Sequence, residues 1–229
     1  MFIYYYGFDL IFILTLIITL GAQAFISGKY ASTRRIRTKK GMTGASVARK
    51  ILDSNGLSNV TVREVSGELS DHYDPRSKTV NLSSDIYNGS SIASASVASH
   101  ECGHAIQDKE GYLFLRIRSS IVPLVNFSSY AGYFAILIGL IFSLMDLVFI
   151  GIIFEVVILA FQIITLPVEF NASHRALVQL KQLDIVDGSE HSKCRGMLIA
   201  AALTYVASVA TTILQILRYV LMFRHDDDR

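Results

Sequence analysis

The chain has 229 residues, 52% of them hydrophobic and 17% charged, with a formal net charge of +2. So little charge excludes a disordered or coiled-coil chain, and two cysteines, Cys102 and Cys194, are too few for a disulfide-stapled secreted domain. The apolar residues fall in long uncharged runs, which marks a membrane protein.

The first run, Leu10 to Gly28 within a span drawn at residues 8–28, is long enough to cross a bilayer as a helix, which takes about 20 residues. No Lys or Arg precedes it, so it reads as an uncleaved signal anchor and not as a signal peptide. Residues 41–118 form a polar segment. Within it, Thr43 to Gly56 reads as a helix: Thr43 caps it, Ala45, Val47, Ala48, Ile51 and Leu52 recur at helical spacing, and Asn55-Gly56 stops it. Val60 to Val65 alternates β-branched and polar residues, the pattern of a strand. Asp71 to Leu82 reads as a hairpin turning at Asp74-Pro75, which predicts a small antiparallel sheet. Ile92 to Asp108 reads as a second helix, its apolar positions Ile92, Val97, Cys102 and Ile106 only loosely periodic.

Two further apolar runs, 119–145 and 147–167, are separated only by Asp146 and predict a helical hairpin turning at that residue. Residues 168–195 are a second polar, helical segment. The last run, 196–221, is rich in Ala and Thr, which suits either a membrane span or a buried helix, so three to four helices cross the bilayer. Basic residues set the orientation. Lys29, Arg34, Arg35, Arg37, Lys39 and Lys40 follow the first span, Arg116 and Arg118 precede the second, and Arg175, Lys181, Lys193 and Arg195 follow the third, whereas the Asp146 turn has none. This predicts an integral cytoplasmic-membrane protein with its N-terminus outside and 29–118 and 169–195 in the cytoplasm. Tyr4, Tyr5 and Tyr6 then belong to an interfacial belt, and a tail containing His225 lies outside if the fourth run spans. The basic cluster is explained by topology and anionic lipid, with no role for nucleic acid.

The second helix carries His100-Glu101-Cys102-Gly103-His104, an HExxH pattern. Positions i and i+4 share a helix face, so both imidazoles can bind one Zn²⁺ while Glu101 reaches a water on the open metal position. Zinc lowers that water's pKa toward about 7, and the carboxylate takes its proton. Chance placement of the few histidines and glutamates predicts roughly 0.005 such matches, so coincidence is a poor account of a pattern with this meaning.

A catalytic zinc needs a third protein ligand. The other histidines are His72, in the hairpin, His174, His191 and His225, which lies across the membrane; Glu169 is a further candidate. Glu169 is preferred. It is the first polar group after Pro167, which ends the third span and can start a helix, and its carboxylate lowers the positive charge of the site. His174 is then a hydrogen-bond donor to a developing oxyanion. Glu155 lies within the third span, where a carboxylate is either functional or an interfacial or locally paired group. Cys102 falls on another helix face from the histidines and reads as a packing residue, and Cys194 as a reduced thiol.

Three strings in order, DHYDPRSKTVNLSSDIY, SHECGHAIQ and LPVEFNASHRAL, resemble the bacterial YugP-like family of membrane-bound neutral zinc metallopeptidases over most of the chain. More distantly the layout resembles HtpX heat-shock proteases and type 1 CAAX prenyl proteases, gluzincins with spans between HExxH and a third-ligand Glu. The resemblance implies His100, His104 and Glu169 as zinc ligands and Glu101 as base. It also implies an α+β membrane protein whose gluzincin-like zincin domain faces the cytoplasm. In the HtpX-like pattern an Asp follows the ligand Glu by four residues and would orient a ligand histidine; here that position is Ser173, a weaker partner.

The function expected is a zinc endopeptidase acting on peptide or protein substrates, some of them membrane-associated. Substrate is expected to add as a strand along an exposed edge at Thr79–Ser83. The alternative is a catalytically silent membrane scaffold that retains the fold. A structural zinc usually has four protein ligands, often Cys, but here one Cys lies near the motif and Glu101 is intact, which favours the enzyme.

Overall fold

The computed structural model describes the backbone of residues 2–227 and the side chains of residues 10–222. The tyrosine side chains at positions 4–6 and the tail with His225 lie outside the described side chains. The elements in chain order are α1 (Phe2–Arg34), α2 (Gly44–Ser54), β1 (Thr61–Val65), β2 (His72–Asp74), β3 (Thr79–Ser83), α3 (Ser84–Asn88), α4 (Ile92–Lys109), α5 (Leu113–Ile141), α6 (Met145–Gln182) and α7 (Gly188–Asp227). Two compact units share these elements: Met1–Gln23, Ile117–Leu166 and Thr204–Arg229 form one, and Ala24–Arg116 with Pro167–Leu203 the other.

Among the described residues, four helices are long and apolar enough to cross a membrane, the stretches Leu10–Arg34, Leu113–Ile141, Met145–Gln182 and Gly188–Met222. Their large apolar side chains stay exposed in the first unit, Leu10 at 67% and Phe127 at 62%, as a lipid-facing surface requires. Within that unit α5 and α6 form a close hairpin. A Cβ on Gly139 would lie 2.6 Å from Val148 Cγ2, and one on Gly151 2.3 Å from Ile136 Cγ1, so only glycine permits this approach. The turn lies at residues 142–144, not at Asp146. Asp146 instead sits in the first turn of α6, where a carboxylate complements the helix dipole.

The second unit holds the sheet and the core. Thr43 Oγ1 accepts from the Ser46 N–H at 3.2 Å to cap α2, whose Val47, Ala48, Ile51 and Leu52 are fully buried. The Asp74 turn forms as its carboxylate accepts from Arg76 N–H at 2.9 Å and Ser77 Oγ at 2.7 Å. The sheet, however, is mixed, with order β1-β3-β2. β2 pairs antiparallel with β3 in the expected hairpin, but β1 pairs parallel with β3 on its other side. Alternation identifies a strand without naming its neighbour, so the sequence pattern carried no information on this pairing.

Nearly all of α4 is buried, which is why it shows no single apolar stripe. Its small hydroxyls are satisfied locally: Ser91 Oγ caps the Ser94 N–H at 3.1 Å, and Ser96 Oγ donates to Ile92 O at 2.7 Å. Gly111, at φ +66°, ends the helix, and the Tyr112 N–H bonds back to Gln107 O at 2.9 Å. Pro167 was expected to break the chain between a span and a new helix, yet α6 runs through it. Beyond the proline Val168, Ala172, Ala176 and Leu180 are fully buried at four-residue spacing, and this packing outweighs the one backbone bond a proline removes. α7 begins on a reciprocal cap: the Glu190 N–H donates to Asp187 Oδ1 at 2.8 Å and the Asp187 N–H to Glu190 Oε2 at 2.9 Å.

Part of the basic cluster after the first span pairs within this unit. Arg34 reaches Asp85 and Glu68, Lys39 reaches Asp187, and Lys40 reaches Asp184. Exposed pairs of this kind contribute little to stability.

Candidate metal centre

α4 and α6 bring the site together. His100, Glu101 and His104 lie on α4, and Glu169 lies two residues beyond Pro167 on α6. One ligand atom from each of His100, His104 and Glu169 falls within 4.8 Å of the others. Glu169 Oε2 is 3.2 Å from His100 Nε2 and 3.7 Å from His104 Nε2. The two imidazoles meet edge to face at 84°. Glu169 is only 2% exposed and His104 7%. Two imidazole nitrogens and one carboxylate oxygen are a donor set suited to a zinc that keeps a fourth position open.

The approach of α6 to α4 depends on Gly103. A Cβ there would lie 2.5 Å from the Ala172 carbonyl oxygen, and a rigid backbone cannot yield as a side chain would. Gly103→Ala is therefore expected to cost about 1–3 kcal/mol and to displace Glu169. Thermal unfolding in detergent, with and without added zinc, should show a lowered Tm and a smaller zinc-induced rise.

Each imidazole is oriented from behind. Ser173 Oγ lies 3.2 Å from His100 Nδ1, so serine occupies the orienting position that the HtpX-like pattern gives to Asp. Gln107 does the same for His104, and sequence reading missed it. Its Nε2 donates to Val168 O at 2.8 Å and Asn171 Oδ1 at 3.0 Å, which turns Oε1 toward His104 Nδ1 at 3.0 Å. Nδ1 then carries the proton, and Nε2 faces Glu169 with its lone pair. Asn171 is held by Arg175 Nε at 2.7 Å, and Arg175 by Glu110 at 2.6 Å. The signal available in the sequence was a Gln at i+3 from the second histidine of the motif on a helix otherwise rich in small residues. Gln107→Leu keeps the volume and removes the acceptor, and zinc affinity is expected to fall about 10- to 100-fold in a chelator competition assay.

Glu101 is 8% exposed. Burial pushes its carboxyl up to about 7; His100 opposes the rise, Glu169 and Asp71 add to it, and a hydrogen bond from the Tyr73 backbone lowers it again. A carboxylate tuned this way is a stronger base than one in water. Tyr73 is anchored by its side chain as well, the hydroxyl donating to Asp108 at 2.6 Å, so β2 lies along α4 beside Glu101. The expected substrate edge at Thr79–Ser83 is not an edge: β3 is the central strand, with β1 and β2 on either side. His174 lies outside the three-residue cluster. It is exposed on α6 and lines two cavities of about 260 and 220 Å³. Cys102 is fully buried with its Sγ 3.6 Å from Ala48 O, a packing position, and Cys194 is a buried free thiol.

Residues 8–224, almost the whole chain, match the family described as "Putative neutral zinc metallopeptidase". The chain belongs to that family. It is a zinc metallopeptidase, a hydrolase of peptide bonds, and zinc is its metal. The metallopeptidase is 41% identical over 223 residues to the "Putative membrane protease YugP" of Bacillus subtilis (strain 168), covering 96% of this chain and 99% of that relative. No solved structure matches it.

Proposed function

We propose that this metallopeptidase is a membrane-embedded endopeptidase of the gluzincin type, with His100, His104 and Glu169 as zinc ligands and Glu101 as general base. The observation that carries the reading is the convergence of two imidazole Nε2 atoms and one buried carboxylate oxygen beside a second buried carboxylate. Zinc, when bound, polarises the scissile carbonyl and acidifies a water. Glu101 takes the water's proton and delivers it to the leaving amine nitrogen. Ser173 and Gln107 hold the imidazoles in the tautomer that presents Nε2. His174 donates a hydrogen bond to the oxyanion. Burial around Glu101 keeps bulk water from competing for the base.

The reading includes the remaining assignments: a first span at 8–28, a zincin core at 41–118, spans at 119–145 and 147–167, a third-ligand segment at 168–195, and a transmembrane or membrane-packed helix at 196–221. It places the N-terminus outside and the site at the cytoplasmic face, where substrates in or near the bilayer have the shortest path. Single cysteines at positions 85 and 146 test the orientation in intact cells. Both native thiols are fully buried and contribute little background. An impermeant thiol reagent should label position 146 and spare 85; the opposite pattern reverses the orientation. The catalytic assignment is tested by zinc content together with casein or peptide hydrolysis.

A further inference from the structure

Behind His104 a chain of polar contacts runs outward through Gln107, Asn171 and Arg175 to Glu110 at the surface. Gln107 is fully buried and uses both Nε2 hydrogens on acceptors, Val168 O at 2.8 Å and Asn171 Oδ1 at 3.0 Å, so only Oε1 is left to face His104 Nδ1 at 3.0 Å. That arrangement requires Asn171 to present its oxygen. A side-chain amide keeps its shape when turned end for end, so its partners set its orientation. Turned the other way, Asn171 would bring Nδ2 against Gln107 Nε2, donor facing donor. The partner that decides is Arg175, one helical turn further along α6, whose Nε donates to the same Asn171 Oδ1 at 2.7 Å. A guanidinium only donates and stays protonated at any working pH, so it admits no alternative. Arg175 is fixed in turn by Glu110, whose Oε2 lies 2.6 Å from Nη2. Glu110 is the C-cap of α4, where a carboxylate opposes the helix dipole, and its pairing with Arg175 offsets that.

We propose that Arg175 is a positioning residue of the metal centre: through Asn171 and Gln107 it sets the direction of the hydrogen bond to His104, and so the tautomer that offers Nε2 to the metal. The inference rests on His104 being a zinc ligand, as proposed above, and adds a residue that acts on it from two side chains away. Charge alone does not do this. The role needs the planar guanidinium, with Nε on Asn171 and Nη2 on Glu110 at once. A lysine ammonium is a point charge on a flexible stem and cannot hold both partners in fixed directions. Without Arg175, Asn171 and Gln107 are free to turn. Gln107 Nε2 then faces His104 Nδ1, and the ring proton moves to Nε2, the nitrogen that must be bare to bind zinc. Zinc affinity falls because that tautomer has to be reversed before the metal can bind.

Chelator competition on the full-length protein in detergent tests this, since it reads zinc affinity without turnover. Arg175→Lys keeps the positive charge and is expected to lower zinc affinity about 10-fold, the lower end of the range for residues that support metal ligands from behind. The same substitution in a Gln107→Leu protein should have no further effect, because the group through which Arg175 acts is gone. A merely structural role predicts equal losses in the two backgrounds. Asn171 tests the direction of the chain. Asn171→Asp presents an acceptor oxygen whichever way it turns and should bind zinc at least as tightly as wild type, whereas Asn171→Leu should fall as Arg175→Lys does. Wild-type affinity in Arg175→Lys, equal losses in the two backgrounds, or an Asn171→Asp protein as weak as Asn171→Leu overturns the proposal. If Arg175→Lys does not fold, Glu110→Gln loosens the same guanidinium from a side chain that is 53% exposed, and the comparison is made with it in the same two backgrounds. His104→Ala separates the two readings. Undiminished zinc affinity there removes His104 from the ligand set and overturns both. Loss of zinc in His104→Ala beside wild-type affinity in Arg175→Lys overturns the role of Arg175 alone.

Discussion

Glu101→Gln is expected to keep both fold and zinc while slowing peptide hydrolysis by on the order of 10² to 10⁴. The amide has the shape of the carboxylate, so α4 can pack around it as before, and the Tyr73 backbone N–H still finds an oxygen to donate to. What is lost is the basic oxygen that, in the proposed mechanism, accepts the water's proton. The loss falls on kcat, because substrate binding does not depend on that proton. Zinc by atomic absorption, circular dichroism and casein hydrolysis on the same preparation separate the possibilities. Hydrolysis near the wild-type rate by a zinc-loaded Glu101→Gln protein would remove the residue from the mechanism.

Glu169→Ala and His174→Ala are expected to diverge. Removing Glu169 leaves two imidazoles and no anionic donor, so zinc content should drop well below one per chain and activity should vanish with it. His100 and His104 would also lose the carboxylate at 3.2 and 3.7 Å that faces their Nε2 atoms. His174→Ala should leave zinc at full stoichiometry and slow turnover only, by up to about 10² to 10³, as loss of one oxyanion donor does. If His174→Ala loses zinc and Glu169→Ala keeps it, the ligand set is wrong and the gluzincin assignment falls.

The chemistry was legible before the fold because its central part is local. His100, Glu101 and His104 occupy little more than one helical turn, so their spacing already puts the two histidines on one face with Glu101 next to it. The apolar runs were legible for a similar reason: three to four helices long enough to cross a bilayer follow from length and composition along one segment at a time. Glu169 was singled out by its place directly after Pro167 and by the family resemblance. Its approach to His100 is another matter, because it requires α6 to press its Ala172 backbone against Gly103, 69 positions away in sequence.

Sequence by itself therefore determined the composition class, the candidate spans, the capped α2 and the two-histidine motif, each governed by neighbours within about one helical turn or one strand repeat. Tertiary structure alone decided the parallel pairing of β1 with β3, the passage of α6 through Pro167, and the orientation of His104 by Gln107 from a carbonyl on α6. These depend on which surfaces meet. Periodicity states that a face is apolar or that a strand exists, but a partner distant along the chain is chosen by packing and by the need to satisfy every buried polar group, and neither leaves a local mark.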